Sequence, residues 1–182
     1  HYFGYDLFGI ERVGLASGYK YFGKNDWFRD LAGKVVPQQF PNGAWGHEDH
    51  GNDAVIDTCF TLLYLSRGRH PVIMTKLKFE PAWDNRPRDL ANLARFAGHE
   101  LERPLNWQVV GIDHNWYDWF DSPVLYVASH QRPNFTDADY QKLRNFVQAG
   151  GLIFTHADAA SEAFNKWVPE LAKKIAPNYE LK

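Results

Sequence analysis

Apolar residues in the first seventy positions recur at helical spacing, and they predict three helices. The first extends over about residues 7–22, and the second begins at Trp27 and is closed by Pro37. Asp53 can cap a third helix that is apolar on nearly every side, so we expect this helix to be buried on most sides. Residues 1–70 are therefore predicted to form an all-α hairpin segment.

Glycines interrupt the first predicted helix at three positions: Gly9, Gly14 and Gly18. Each costs helix stability relative to alanine, and such glycines are tolerated where two helices approach closely. We therefore expect a close helix contact along this segment.

After position 70 the pattern changes, because short apolar runs begin to alternate with helical spacing. Parallel neighbouring strands need a crossover connection, so this alternation predicts a three-layer α/β domain with a mostly parallel sheet over residues 71–182. A Thr136-x-x-Asp139 pattern predicts a capped helix start. Pro169 is expected to divide the last helix into two short ones. The predicted strands cover about residues 72–79, 107–112, 124–128 and 152–155, and the predicted helices about 88–101, 136–150 and 163–175.

Composition and charge limit the classes of partner. Hydrophobic residues make up 45% of the chain and aromatic residues 16%, so a packed core is expected. The net charge of −2 gives no reason to expect a nucleic acid or an anionic membrane as a partner, because both normally require a basic face. No apolar stretch is long enough to span a bilayer. The single Cys59 excludes an internal disulfide. Since the sequence opens with His1, we expect it to be a piece of a longer protein.

The helical segment contains Gln39-Phe-Pro-Asn-Gly43-Ala-Trp45. This resembles the Q-x-x-x-G-x-W repeat motif of squalene cyclases and protein prenyltransferases, whose α/α toroids stack such hairpins. The acid and metal motifs that these enzymes use for cyclisation are absent. Asp57-x-Cys59 resembles the zinc-binding pair of prenyltransferases, and the alternative interpretation is that Cys59 is a small buried residue.

The second part resembles an uncharacterised bacterial domain family that often follows such repeats. The resemblance is carried by Lys76–Phe79, Trp83–Leu90, Ser122–Tyr126, Phe135-Thr-Asp and Gly150–Asp158. It implies a fold like that of class I glutamine amidotransferases (flavodoxin-like), no established activity, and a bacterial extracytoplasmic setting. The family domain usually continues beyond Lys182, which again suggests a fragment.

Three predicted strands lead into histidines at or beyond their carboxyl ends: His114, His130 and His156, the last followed by Asp158. Open α/β sheets bind ligands at this edge. These four residues are candidates for a zinc or other divalent metal site, or for acid–base chemistry. Alternatively, each histidine only hydrogen-bonds a loop backbone.

An amidotransferase needs a thiol at a strand-to-helix turn, and residues 71–182 contain no cysteine. Ser161 is the remaining nucleophile candidate, beside His130, His156 and Asp158, but no G-x-S-x-G elbow surrounds it. Helix capping by Ser161 or Asp158 is the alternative interpretation.

Two further clusters are candidate binding sites. Trp116 and Trp119, beside His114, could stack on a ligand, and their aromatic run could equally dock the two parts of the chain together. The loop around His47 and His50 is dense in metal-ligand residue types, and the alternative is a solvated loop.

The leading hypothesis is a non-catalytic module that binds a protein or a small molecule and requires no cofactor. The alternative is a metal-assisted hydrolase at the carboxyl ends of the strands. A third hypothesis, a prenyl-binding protein, predicts an apolar cavity lined by the helices around Cys59.

Overall fold

The structure is a computed structural model, and it describes residues 3–46, 51–67 and 70–179. The chain divides into two compact units, His1–His70 and Pro71–Lys182. The first is helical and the second is a mixed α/β unit built on a parallel sheet. No helix among the described residues is long and apolar enough to cross a membrane.

The helical unit contains three α-helices and a short hairpin. Helix α1 covers Phe3–Ser17, α2 covers Trp27–Val35, and α3 covers Gly51–Arg67. The hairpin strands β1 (Tyr21–Phe22) and β2 (Asn25–Asp26) pair antiparallel between α1 and α2. Helix α1 ends earlier than predicted because Gly18 has a positive φ of 74°, which turns the chain out of the helix. The core residues are Leu7, Trp27, Val35, Trp45 and Tyr64.

The Gln39–Trp45 motif folds into a tight turn that its own side chains stabilise. Gln39 Nε2 donates to the Gly43 carbonyl at 2.9 Å, and Gly43 has a φ of 86° that favours glycine. The buried Trp45 indole donates to the Val35 carbonyl at 2.9 Å, and its backbone N–H donates to Thr58 Oγ1 at 2.9 Å. The glutamine, glycine and tryptophan of the motif therefore each have a structural role here, and the relation to cyclase repeats stays a prediction.

Helix α3 is not buried on most sides, so that prediction was wrong. Val55 and Leu62 are exposed, and Cys59 is exposed as well, which also excludes its interpretation as a small buried residue. Contacts within the unit cover mainly the face of α3 that meets α1. The helix is apolar all round in sequence, but the described residues cover only part of its circumference.

The α/β unit contains four parallel strands in the order β4-β3-β5-β6. The strands cover Val72–Lys78 (β3), Asn106–Gly111 (β4), Val124–Ser129 (β5) and Leu152–Ala157 (β6). Counted within the unit, the order is 2-1-3-4, which is that of the first four strands of flavodoxin-type sheets. The predicted fold class, a parallel α/β sheet preceded by a helical segment, is confirmed.

Helices cover both faces of this sheet. Helix α4 (Asp89–Glu100) packs Leu90 and Leu93 against the face that carries Tyr126. Helices α5 (Asp137–Gln148) and α6 (Glu162–Ile175) pack on each other and on β6. Right-handed crossovers in opposite directions from the central strands place α4 and α5 on opposite faces. The three-layer arrangement follows.

Local signals in this unit had mixed outcomes. The predicted Thr136–Asp139 capping box is present: the Thr136 side chain accepts from the Asp139 N–H, and the Asp139 side chain accepts from the Thr136 N–H. Pro169 does not divide the last helix, because α6 continues through it. Proline has no N–H, so the carbonyl of Asn165, four residues earlier, lacks its helical hydrogen bond. Asn165 and Pro169 are both exposed, so water can hydrogen-bond to this carbonyl instead. Strand β6 is not fully buried, because it is an edge strand and Leu152 is 60% exposed.

Candidate functional site

The carboxyl ends of the four strands form one edge of the sheet, which we call the carboxyl rim: residues 79–88, 112–115, 130–136 and 156–161. From β3 the chain crosses to β4 on one side, whereas β5 and then β6 lie on the other side of β3. The direction of the crossovers therefore reverses between β3 and β5, and in doubly wound sheets ligands bind at the carboxyl ends of the strands beside this reversal. The rim near β3 and β5 is therefore the place to look for a site.

The three predicted histidines lie along this rim and do not form one group. His114 follows β4 at one edge of the sheet, whereas His156 lies in β6 at the other edge. Three strand spacings of about 4.8 Å separate these two strands. Within residues 3–46, 51–67 and 70–179, no three His, Cys, Asp or Glu side chains are grouped to hold a metal ion. The predicted metal set of His114, His130, His156 and Asp158 is not brought together.

One pair of the predicted residues does meet. His156 Nε2 lies 3.5 Å from Asp158 Oδ1, and Arg86 Nε lies 3.2 Å from the same oxygen. Asp158 is 1% exposed, whereas the side chains of Arg86 and His156 are 59% and 46% exposed. Neither Asp158 oxygen makes a hydrogen bond of good geometry in the described part of the chain. The carboxylate is therefore buried, with the Arg86 guanidinium and the His156 imidazole beside it at the surface.

Lys76 forms a second charged group beside this one. Its ammonium, on the face of β3 that α4 covers, is buried and donates to Asp89 Oδ1 at 2.9 Å, to Asp84 Oδ1 at 3.2 Å and to the Arg86 carbonyl at 3.0 Å. It also lies 5.5 Å from the centre of the Trp83 ring. Because a buried charge is stable only when it is paired and hydrogen-bonded, these contacts fix the loop at 79–88 against the sheet.

Tyr126 connects the two charged groups. Burial raises the pKa of its hydroxyl above the usual range, and the negative charges of Asp89 and Asp158 raise this pKa further, while Arg86 opposes them. All of these charges act on one phenol, so they share one region over β5. Tyr126 therefore stays protonated at neutral pH and serves as a hydrogen-bond donor.

Ser161 is the cap of α6 in this structure. Its Oγ accepts from the Phe164 N–H at 3.3 Å and donates to the His130 carbonyl at 2.7 Å. His130 is half-buried, and its Nε2 lies 3.1 Å from Gln131 Nε2. Both described contacts of the serine hydroxyl are to backbone, so no imidazole activates it here. The capping interpretation of Ser161 is supported.

The aromatic run beside His114 is divided between core and surface. Trp119 is fully buried, and its indole donates to the Gly111 carbonyl at 3.3 Å and stacks edge-on against Phe146. It contacts no solvent, so it cannot touch a ligand in this structure. Trp116 and His114 are half-buried and remain accessible. The docking role proposed for the run stays a prediction.

The zinc pair predicted in the helical unit is not formed. Asp57 is buried and accepts a hydrogen bond from the Gly4 N–H at 2.8 Å, across the contact between α1 and α3. Cys59 is exposed, since residues two apart on a helix do not share a face. The His47–His50 loop lies outside the described residues.

An apolar groove of about 780 Å³ also lies in the helical unit, on the side of α1 and α2. Cys59 does not line it. The cavity that a prenyl-binding protein would have around Cys59 therefore stays a prediction. Residues that line the groove include Tyr5, Ile10, Val13, Phe22, Trp27 and Leu31, with Asp6, Asp30 and Lys34 beside them.

The sequence prediction gave no role to Lys76 or Arg86. Lys76 lies in a mainly apolar strand, and this was the available signal, because a lysine on a covered face needs a carboxylate partner. Arg86 carried no such signal, since an arginine in a polar loop is usually solvated. Only the fold brings its loop to the end of β6.

Comparison with known proteins gives one match. Residues 72–182 match the model of a protein family described as "Domain of unknown function (DUF4159)", which covers more than half of the chain. No curated protein and no solved structure matches.

Proposed function

Because the chain belongs to the family described as a domain of unknown function (DUF4159), whose description names no activity, we propose a function from the site itself. The α/β unit is a non-catalytic binding module, and its ligand lies at the carboxyl rim beside β3, β5 and β6. The observation that supports this is the pair of exposed side chains, Arg86 and His156, held on the buried Asp158.

The rim has the properties of a pre-formed binding surface. Lys76 ties the loop that carries Arg86 to the sheet through three hydrogen bonds. Side chains held by a supporting layer of this kind lose little freedom on binding, so more of the interaction energy remains as affinity. The exposed groups of the rim are therefore presented on a rigid support.

The two nucleophiles considered for covalent catalysis, a thiol and the Ser161 hydroxyl, do not support it in this unit. The only cysteine of the chain is Cys59, in the helical unit, and the Ser161 hydroxyl caps α6. A hydroxyl nucleophile needs a base within hydrogen-bonding reach, and the described contacts of Ser161 offer none. Binding without turnover is the function that this arrangement supports best.

The test combines binding and turnover on the full chain. Backbone amide NMR spectra are recorded during titration with a library of small-molecule fragments. We expect shift changes to cluster at residues 79–88 and 156–161. Chromogenic carboxylic and phosphoric esters are assayed in parallel with wild type and His156→Ala, and we expect the two proteins to give the same background rate.

Two results would contradict the proposal. One is ester turnover that His156→Ala abolishes, because it would show catalysis at the rim. The other is a titration in which fragments shift only signals of the helical unit and leave the signals of the rim residues unchanged.

A further inference from the structure

We propose that the Arg86 guanidinium, with His156 beside it, binds the oxyanion of a small-molecule ligand, either a carboxylate or a phosphate group. This inference rests on the proposed binding function and names the chemistry of its ligand. Asp158 acts as a positioning residue that aims the guanidinium outward.

The first step of the argument is the orientation of Arg86. Its Nε lies 3.2 Å from Asp158 Oδ1, so the side chain is anchored through one nitrogen only. No ion pair or hydrogen bond engages its Nη1 and Nη2 within the described residues, and the side chain is 59% exposed. The two terminal nitrogens therefore present a planar pair of donors to solvent.

The second step concerns the buried carboxylate. A charge that is 1% exposed and lacks well-aligned hydrogen bonds is costly, and such a charge is kept only with close compensation. Two surface groups, Arg86 and His156, both lie within 3.5 Å of one of its oxygens. Because they share this anchor, they are neighbours on the surface, and a ligand can contact both.

The third step is the sign of the exposed charge. Asp84 and Asp89 share the buried Lys76, and their side chains are 36% and 15% exposed. Arg86, at 59%, is more exposed than either, so its guanidinium is the most accessible of these charged groups to an anion from solvent. A guanidinium matches carboxylate and phosphate oxygens through two parallel hydrogen bonds, which a lysine ammonium cannot do.

The test is an NMR titration of the full chain with labelled arginine side chains and backbone amides. Inorganic phosphate and acetate are added separately, with sodium chloride used to hold the ionic strength constant. We expect saturable shifts of the Arg86 guanidinium and of residues near His156. The anion that binds more tightly identifies the group, phosphate or carboxylate.

Variants locate the site. Arg86→Gln should weaken binding roughly tenfold or more, because a charged hydrogen-bonded contact is lost. Arg88→Gln is the matched control, since Arg88 is an exposed arginine of the same loop, and it should leave the affinity unchanged. Arg86→Gln leaves Asp158 buried without its cation, so Arg86→Gln/Asp158→Asn is the safer variant for folding, and it should bind equally weakly.

The role of Asp158 has its own readout. In Asp158→Asn the Arg86 Nε–H signal should shift and exchange faster with water, while backbone spectra show an intact fold. An Nε–H signal identical to that of wild type would overturn the positioning role.

Unchanged anion affinity in Arg86→Gln, or no saturation by either anion, would overturn the oxyanion site. If neutral fragments still shift the NMR signals of the rim residues in that case, only this inference fails. If no fragment and no anion shifts those signals, the proposed function fails as well.

Discussion

At the scale of single residues, Lys76 is the centre of the α/β unit's polar interior. Its ammonium is enclosed between β3 and the loop that leads to α4, where Asp84, Asp89 and a carbonyl surround it. Burying an ion pair gives little net stability relative to an apolar pair, but removing one partner leaves an uncompensated charge. Lys76 therefore fixes the loop geometry on which Arg86 depends.

Lys76→Met is expected to lower the free energy of unfolding by about 3–5 kcal/mol, because two carboxylates lose their buried cation. Lys173→Met, at an exposed lysine in the last turn of α6, should change it by about 0.5 kcal/mol or less. Adding Asp89→Asn to Lys76→Met should restore part of the loss. Urea unfolding measures all three, and equal losses for the two lysine variants would contradict the account.

Tyr126 predicts a dependence of stability on alkaline pH. Burial, together with Asp89 and Asp158, raises its pKa in the folded protein, while the unfolded tyrosine keeps a value near 10. The folded state therefore favours the protonated phenol. The resulting stabilisation is fully present below about pH 10 and is lost as the pH rises above that value toward the folded pKa. Burial also raises the pKa of Tyr64 in the helical unit.

Tyr126→Phe removes one of these titrating groups. The variant should lose less stability than wild type between about pH 9 and pH 11, measured by urea unfolding at several pH values. Tyr64→Phe, in the helical unit, should reduce the loss of stability over the same pH range for the same reason. Identical slopes of stability against pH in wild type and Tyr126→Phe would show that Tyr126 titrates normally.

What the sequence could predict at this scale was limited to residues with local partners. The cap formed by Thr136 and Asp139 lies within one helical turn, so its pattern is complete in the sequence. The partners of Arg86 and Lys76 are set by the fold. Asp158 stands 72 positions after Arg86 and meets it only because β6 ends beside the loop that follows β3.

At the scale of elements, the close contacts of α1 show which glycines matter. A Cβ on Gly14 would overlap the Trp27 ring, and one on Gly4 would meet the backbone of Asp57. At Gly9, in the same helix, a Cβ would have no atom within 4 Å. The expectation that glycines mark close helix contacts is therefore correct for Gly14 and incorrect for Gly9.

These two glycines provide a matched pair of variants. Gly14→Ala should destabilise the helical unit by about 1–3 kcal/mol through overpacking against Trp27. Gly9→Ala should stabilise it by up to about 1 kcal/mol, because alanine favours the helix and the space is open. Chemical unfolding followed by circular dichroism measures both. Shifts of the same sign would contradict the assigned packing.

Periodicity placed the strands and helices of the α/β unit within a few residues, because each has a long apolar face or run. It could not predict which of these apolar faces are covered by neighbouring elements. Helix α3 was predicted to be buried on most sides, but an apolar segment is exposed wherever no neighbouring element covers it. Which strand is at the edge depends on strand order, which no local pattern contains.

At the scale of the whole molecule, strand order determines the candidate site. The order β4-β3-β5-β6 sends His114 and His156 to opposite edges of the sheet, and so it separates the imidazoles on which a metal site depended. The same order brings the end of β6 to the loop after β3. The fold thus replaces the predicted histidine cluster with an arginine held by a buried aspartate.

The most direct test of this account is a crystal structure of the full chain grown with a saturating concentration of whichever anion, phosphate or acetate, binds more tightly. We predict this anion within hydrogen-bonding distance of Arg86 Nη1 and Nη2, with Arg86 Nε still against Asp158 and His156 alongside. A structure in which Arg86 has left Asp158 while the anion occupies a different surface would contradict it.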